Sequence, residues 1–340
     1  MMRRTALVLL AAGLGVMAAC TGSPPDSGSD SSLEAGSDYG EVELDGAVIA
    51  YESLGSPDDE TVLLIAGTGM QLIDWPTELV EALVDQGYRV VRFDNRDVGL
   101  TTVFAEVEPL DEAAIGDALE TGEPPPVPYT FDDMAEDALG VLDALDVQRA
   151  HVVGLSMGGA IAQLIAIDTP ERVRSLTLLA ADSGNPELPP IDPEAFADMP
   201  PGPRPTDREG FIDRRVAEEQ ALTGAGYQTD EAELRAAVLR AVERAYDPAA
   251  LARQEVMSLV GHLASADYRF ANLESIDLPT VVVQGDDDPL VPVEAAYDIE
   301  ARIPDSELRV IPGLGHQVPV EVVPDVVDAI VTVAARASET

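Results

Sequence analysis

The chain has 340 residues, with 63 Asp and Glu against 20 basic residues, every one an arginine, and a formal net charge of −43. That balance excludes a sequence-independent nucleic-acid binder, which needs cations clustered against phosphate, and a polybasic membrane-surface protein. With 46% hydrophobic residues, the chain has enough apolar material for two domains or for one large α/β domain with an insertion.

Arg3 and Arg4 precede an apolar run from Ala6 to Ala19 that ends at Cys20. A basic start, a run of this length and small residues before the cysteine predict a signal peptide over residues 1–19. The run is too short to cross a bilayer comfortably. Met17-Ala18-Ala19-Cys20 resembles a bacterial lipobox, and Cys20, the only cysteine, has no possible intrachain disulfide partner. The expectation is an exported protein, lipid-anchored at Cys20 to the outer face of a bacterial cytoplasmic membrane, with the anchor as its only membrane contact. Residues 20–38, rich in Gly, Ser, Pro and Asp, predict a flexible tether.

From residue 39 the chain reads as a doubly wound α/β fold, with core segments 39–185 and 276–340 on either side of a helical cap, 186–275. Asp45-Gly46 between alternating runs in Glu41–Tyr51 predicts a hairpin. Val62–Ala66, Val90–Phe93, His151–Gly154, Leu176–Leu179, Val281–Gln284 and Leu308–Ile311 are near-continuous apolar runs, the pattern of mostly parallel strands buried on both faces. Helical patterns occupy Pro76–Asp85, Phe131–Leu145, Met157–Ile167, Pro292–Ile303 and the tail Pro319–Ala335. The cap carries three more, Arg208–Thr223, Asp230–Tyr246 and Pro248–His262, after a Pro- and Asp-rich stretch from Asn185 to Gly210.

Along this chain the residues that carry chemistry follow strand ends. Ala66-Gly67-Thr68-Gly69 leaves the first core strand. Gly154-Leu155-Ser156-Met157-Gly158 lies between a strand and a helix, the context a nucleophile elbow requires. Glycines at 154 and 158 allow a sharp turn that presents the Ser156 hydroxyl at the carboxyl edge of the sheet. Of three histidines, His316 in Gly313-Leu314-Gly315-His316 follows the last strand and is the expected general base. His151 begins a strand and falls at the opposite edge, a structural position. His262 belongs to the cap, where it can line a pocket. The orienting acid is sought in Gly285-Asp286-Asp287-Asp288-Pro289. Asp288 is preferred because Pro289 biases it towards an extended conformation; Asp286 and Asp287 read as turn residues and solvated charge, and Asp182 as a substitute acid. Acyl transfer needs two N–H donors for the developing oxyanion, and Met157 and Thr68 are the candidates. No clustered His/Cys ligand set implies a metal, and no cofactor is expected.

With the oxyanion loop, serine, aspartate and histidine in this order, residues 41–337 resemble the α/β-hydrolase superfamily. Ala66 to Gly69, Phe93-Asp94-Asn95-Arg96-Asp97-Val98-Gly99-Leu100-Thr101, Gly154 to Gly159, Gly285 to Pro289 and Gly315-His316 carry the likeness. Within it, the chain looks most similar to the branch of aclacinomycin methylesterase and proline iminopeptidase-like hydrolases. The resemblance implies Ser156 as nucleophile, Asp288 as acid and His316 as base, with Asp94 and Arg96 in a buttressing loop. The chain departs at Ala66, where many members carry a histidine before the glycine.

The expected activity is hydrolysis of small-molecule carboxylic esters through an acyl-enzyme. Three other readings stay open: an aminopeptidase using cap acids such as Glu218, Glu219, Glu231 and Glu233, otherwise exposed helix faces; a cofactor-free perhydrolase; and a non-catalytic binding lipoprotein on the same fold. The acid excess reads either as ordinary solubilising charge or as adaptation to high salt. Oligomeric state has no signature here.

Overall fold

The hairpin expected around Asp45-Gly46 opens the fold, with β1 (Asp38–Leu44) and β2 (Ala47–Leu54) antiparallel and Leu44 opposite Ala47. In this computed structural model the described residues are 38–105, 110–188, 199–202, 204–205 and 207–338. The expected signal peptide, Cys20 and nearly all of the tether lie outside them.

All six apolar runs are strands: β3 (Glu60–Ile65), β4 (Tyr88–Phe93), β5 (Ala150–Leu155), β6 (Val173–Leu179), β7 (Thr280–Gly285) and β8 (Glu307–Ile311). They form one sheet with β1 and β2 in the order β1-β2-β4-β3-β5-β6-β7-β8. β2 pairs with β4 antiparallel, and every pairing from β4 to β8 is parallel.

Helices α1 (Thr77–Asp85), α2 (Glu112–Thr121), α3 (Phe131–Ala144), α4 (Met157–Asp168), α5 (Arg208–Ala221), α6 (Glu231–Arg244), α7 (Pro248–Asn272), α8 (Val293–Arg302) and α9 (Val323–Ala337) complete the fold. The central parallel strands are apolar on both faces because both are covered, whereas the edge strand β8 is only half-buried. On one face Leu63, Ile65, Val152, Leu176 and Val282 pack with α3, α4 and α8. On the other, Val62, Leu64, Val153, Val281 and Val283 pack with α1 and α9. Adjacent residues of β3 thus enter opposite layers, as strand geometry requires. Helix α2 has no clear signal in the sequence pattern; Asp111 caps it by accepting from the Ala113 and Ala114 amides.

Between β6 and β7 the described residues hold α5, α6 and α7 and no strand. These helices share a small apolar cluster of Phe211, Ile212, Val216, Leu234, Val238, Val242 and Leu251. Helix α7 continues ten residues beyond the expected end at His262. Gly261 is no stop signal, since a Cβ there would lie 2.4 Å from the Phe131 ring, and its small size lets the helix pass close to α3. Among the described residues no helix is long and apolar enough to cross a membrane.

Candidate active site

Strand β5 delivers Ser156 into a turn that only small neighbours permit. A Cβ on Gly154 would fall 2.2 Å from the Gly158 carbonyl oxygen, and one on Gly158 would fall 2.0 Å from that of Ile65. Between them Ser156 adopts φ 55° and ψ −116°, a strained conformation for a non-glycine residue. Its backbone is locked on both sides: the Ser156 N–H donates to Leu179 O at 2.9 Å, and its carbonyl accepts from Gly159 at 2.8 Å. The side chain stands at the N-terminus of α4, where the helix dipole favours developing negative charge.

His316 reaches this hydroxyl from the loop after β8, with Nε2 2.9 Å from Ser156 Oγ. Its other ring nitrogen, Nδ1, lies 2.8 Å from Asp288 Oδ2 and 3.1 Å from Oδ1. The Asp288 carboxylate is fully buried yet well supplied with donors. The Leu290 and Val291 amides donate to Oδ1 at 2.8 and 2.9 Å, and Gln284 Nε2 donates to Oδ2 at 3.0 Å. These bonds fix the carboxyl group, and its contact with Nδ1 turns the ring so that Nε2 faces Ser156.

Asp286 and Asp287 are exposed, but each also holds a loop. Asp286 Oδ1 accepts from the Gly313 amide at 2.6 Å, steadying the His316 loop, and Asp287 Oδ2 accepts from the Ala225 amide at 2.6 Å.

The loop after β3 lies against Ser156: a Cβ on Gly67 would come within 3.4 Å of Ser156 Cβ. Met157 opens α4, so its N–H has no intrahelical acceptor. Among the described residues neither the Met157 nor the Thr68 amide has a hydrogen-bond acceptor. Thr68 Oγ1 donates to Ser258 Oγ at 2.7 Å, the Gly69 amide donates to Gln254 Oε1 at 2.6 Å, and Asn95 Nδ2 donates to Ala66 O at 3.1 Å. Sequence reasoning misses Gln254 and Ser258 on α7, although their spacing with Leu251 and His262 marks one helix face.

The remaining candidates have other partners. Asp94 is buried beneath the site, accepting from the Leu72 and Leu100 amides and pairing with Arg244. Arg96 turns away to Asp137 at 2.6 Å. His151 lies at the far edge of the sheet, with Nδ1 2.8 Å from Ser175 Oγ. His262 borders the cap–core boundary, with Nδ1 2.8 Å from Ser258 O and Nε2 3.4 Å from Asp182 Oδ2. Asp182 therefore faces His262 and Arg269. The reading of Glu218 and Glu219 as exposed helix faces needs correction. Glu218 is 6% exposed and pairs with Arg204, Arg214 and Arg215, while Glu219 pairs with Arg215 and accepts from Gln317. Glu231 and Glu233 are exposed. Among the described residues no group of three or more His, Cys, Asp or Glu is placed to hold a metal.

A family profile described as the α/β-hydrolase fold matches residues 60–321. The chain is 33% identical over 304 residues to the rhodomycin D methylesterase of Streptomyces sp. strain C5, covering 83% of this chain and 93% of that protein. To the rhodomycin D methylesterase of Streptomyces peucetius it is 34% identical over 294 residues, covering 80% and 89%. Among solved structures, a serine-to-alanine mutant of the meta-cleavage product hydrolase from Pseudomonas fluorescens IP01 superposes with a TM-score of 0.66. It shares 20% identity, over 88% of this chain and 98% of that one.

Proposed function

Since the chain belongs to the α/β-hydrolase family, we propose that it is a serine hydrolase that cleaves carboxylic esters of small molecules through an acyl-enzyme on Ser156. The observation that carries this reading is the continuous contact from Ser156 Oγ through His316 to Asp288, at 2.9 and 2.8 Å. His316 Nε2 takes the hydroxyl proton as Oγ attacks the ester carbonyl, and Asp288 stabilises the imidazolium that forms. The Met157 and Thr68 amides donate to the tetrahedral oxyanion. Collapse breaks the bond to the alkoxy group, which leaves as the alcohol with the proton from His316. A water then attacks the acyl-enzyme with His316 again as base, releasing the acid and restoring Ser156.

The two methylesterase relatives cover most of the chain, which supports a small alkoxy leaving group, methyl above all. The aminopeptidase reading needs a free carboxylate for the substrate amine. Glu218 and Glu219 are instead engaged by arginines, and Glu231 and Glu233 stand exposed in the first turn of α6, so the ester reading is favoured. A perhydrolase would use the same three residues and is separated by assaying peracid formation.

The test is labelling with a fluorophosphonate probe in high salt, comparing wild type with Ser156→Ala, followed by a panel of methyl esters beside aminoacyl-naphthylamides. Ser156-dependent labelling with ester turnover is expected. Its absence would leave the binding-scaffold reading standing. We also propose export and lipid anchoring at Cys20, supported by the sequence of residues 1–20 alone. Metabolic labelling with palmitate, lost in Cys20→Ala, is the expected result; equal labelling of both forms rules the anchor out.

A further inference from the structure

Ala66 offers no side-chain hydrogen bond, so the polar support of the loop at residues 66–70 has to come from elsewhere. Part of it comes from the core, where Asn95 Nδ2 donates to Ala66 O at 3.1 Å. More comes from helix α7. Gln254 is fully buried and uses both ends of its amide, with Oε1 accepting from the Gly69 N–H at 2.6 Å and Nε2 donating to the Arg96 carbonyl at 2.8 Å. The two partners are an N–H and a carbonyl, so only one orientation of the amide satisfies both. One turn further along, Ser258 Oγ accepts the Thr68 hydroxyl proton at 2.7 Å. One turn earlier, Leu251 closes on Gly69, where a Cβ would lie 2.8 Å from Leu251 Cδ1. Gly69 itself sits at φ +74°.

Leu251, Gln254 and Ser258 thus form one strip of α7 against residues 68 and 69, as i, i+3 and i+7 positions must. The helix carrying the strip is itself fixed to the core. Arg253 Nε donates to Asp97 Oδ2 at 2.9 Å, and Tyr129 OH donates to the same oxygen at 2.9 Å. An oxyanion donor works only when its direction is set before the charge develops. The Thr68 N–H lies between two points of attachment, its own hydroxyl and the next residue's amide, and both are made by α7.

We propose that Gln254 is the positioning residue of the oxyanion loop, so that a helix of the cap aims the Thr68 N–H at the tetrahedral intermediate. The inference rests on the reading of Ser156 as nucleophile. It gives the cap a part in the chemical step beyond enclosing substrate, without Gln254 touching the reacting atoms.

The experiment compares wild type, Gln254→Met, Gln254→Glu and Ser156→Ala by steady-state hydrolysis of p-nitrophenyl acetate. Hydrogen exchange over the 66–70 segment and melting temperature are measured alongside. Met keeps the volume and loses both hydrogen bonds; Glu keeps the acceptor for Gly69 and, when its carboxyl is protonated, a donor for the Arg96 carbonyl. For Gln254→Met we expect kcat lower by about 10- to 100-fold, somewhat less than loss of a donor itself, with KM within about twofold. The segment should exchange faster. Gln254→Glu should recover both loop protection and most of kcat. Unchanged kcat and loop exchange in a folded Gln254→Met overturn the positioning role, as does a kcat loss that Gln254→Glu does not relieve while the loop stays protected. Wild type that neither hydrolyses ester nor takes a Ser156-dependent label overturns the hydrolase reading itself. Ser156-dependent turnover indifferent to Gln254 overturns only the positioning role.

Discussion

Arg244 Nη1 lies 2.8 Å from Asp94 Oδ2, joining the end of cap helix α6 to the loop after β4, and the two side chains are 2% and 0% exposed. Burial pushes the Asp94 carboxyl up, while Arg244 and the Leu72 and Leu100 amides oppose that shift. Gln71 strengthens the seam, with Oε1 accepting from Arg244 at 2.9 Å and Nε2 donating to Ala241 O at 2.8 Å. Removing one member of such a pair strands the other charge, at a cost of about 3–5 kcal/mol. Arg244→Met should therefore lower the urea midpoint by that much in free energy. Adding Asp94→Asn should restore part of it, making the double variant less damaged than the sum of the singles. A midpoint unchanged in Arg244→Met would mean that the pair contributes nothing to docking of the cap.

The bonds around Asp288 predict what an isosteric change does to the reaction. Oδ1 is held by two amide donors, from Leu290 and Val291, and in Asp288→Asn only the amide oxygen can satisfy them. The NH2 group then takes the place of Oδ2, 2.8 Å from His316 Nδ1. Nδ1 must become an acceptor, the ring proton moves to Nε2, and His316 can no longer accept from Ser156. A fall in kcat on the order of 10⁴-fold is expected, with KM little changed and the melting temperature lowered, because the new NH2 group also faces the Gln284 Nε2 donor. Loss of less than about tenfold would show that the acid is supplied by another residue.

What the sequence revealed about this site was local, and what it concealed was distant. The elbow was legible because its constraint lies within five residues: Gly154 and Gly158 are glycines since a Cβ on either would meet backbone at 2.2 or 2.0 Å. The central strands β3, β5 and β7 were legible because burial on both faces leaves a near-continuous apolar run. Asp288 could be preferred over its two neighbours because Pro289 acts on the adjacent residue. By contrast, the bond between the Gly69 amide and Gln254 spans 185 residues, and no periodicity encodes that meeting. Glu218 reads as a surface acid on a polar helix until three arginines converge on it. Asp286 and Asp287 read as solvated charge because an accepted backbone N–H leaves no trace in side-chain chemistry.

The Asp182–Arg269 pair predicts how acid acts on the fold. Arg269 is fully buried, and its Nη2 lies 3.0 Å from Asp182 Oδ1; its Nη1 donates to Asp182 O at 2.9 Å and to Gln163 Oε1 at 3.0 Å. Burial pushes the Asp182 carboxyl up, but Arg269, His262 and the Gly184 amide outweigh it and hold the pKa at about 2, below the ordinary 3.8. The unfolded chain then takes up this proton first as pH falls. The stabilisation is present above pH ~4 and lost between ~4 and ~2, on the order of 2 kcal/mol. Wild type should lose melting temperature across that window more steeply than Asp182→Asn, which is already weakened at neutral pH, and the curves should approach each other at the acid end. Parallel curves would show that Asp182 contributes no acid sensitivity.

Net charge makes stability depend on salt, because pairing leaves most of the acid surplus uncompensated. Buried pairs such as Arg92–Glu52 and Arg96–Asp137, each with both side chains 6% exposed or less, are shielded from the ionic atmosphere. Exposed ones, such as Arg235 with Glu209 and Asp213, are worth little and are screened by salt. What remains is mutual repulsion among surface carboxylates in a chain of net charge −43, acting over about 10 Å at 0.1 M salt and about 3 Å at 1 M. Raising NaCl from about 0.1 to 1 M should therefore raise the melting temperature, by roughly 2 °C or more for each kcal/mol of repulsion removed. KCl should act equally, since screening depends on ionic strength and not on the cation. Arg235→Gln should leave the salt response unchanged, because its ion pairs are already weak. A melting temperature that stays flat between the two salt concentrations would assign the acidity to solubility alone and set aside salt adaptation, without touching the chemistry proposed for Ser156.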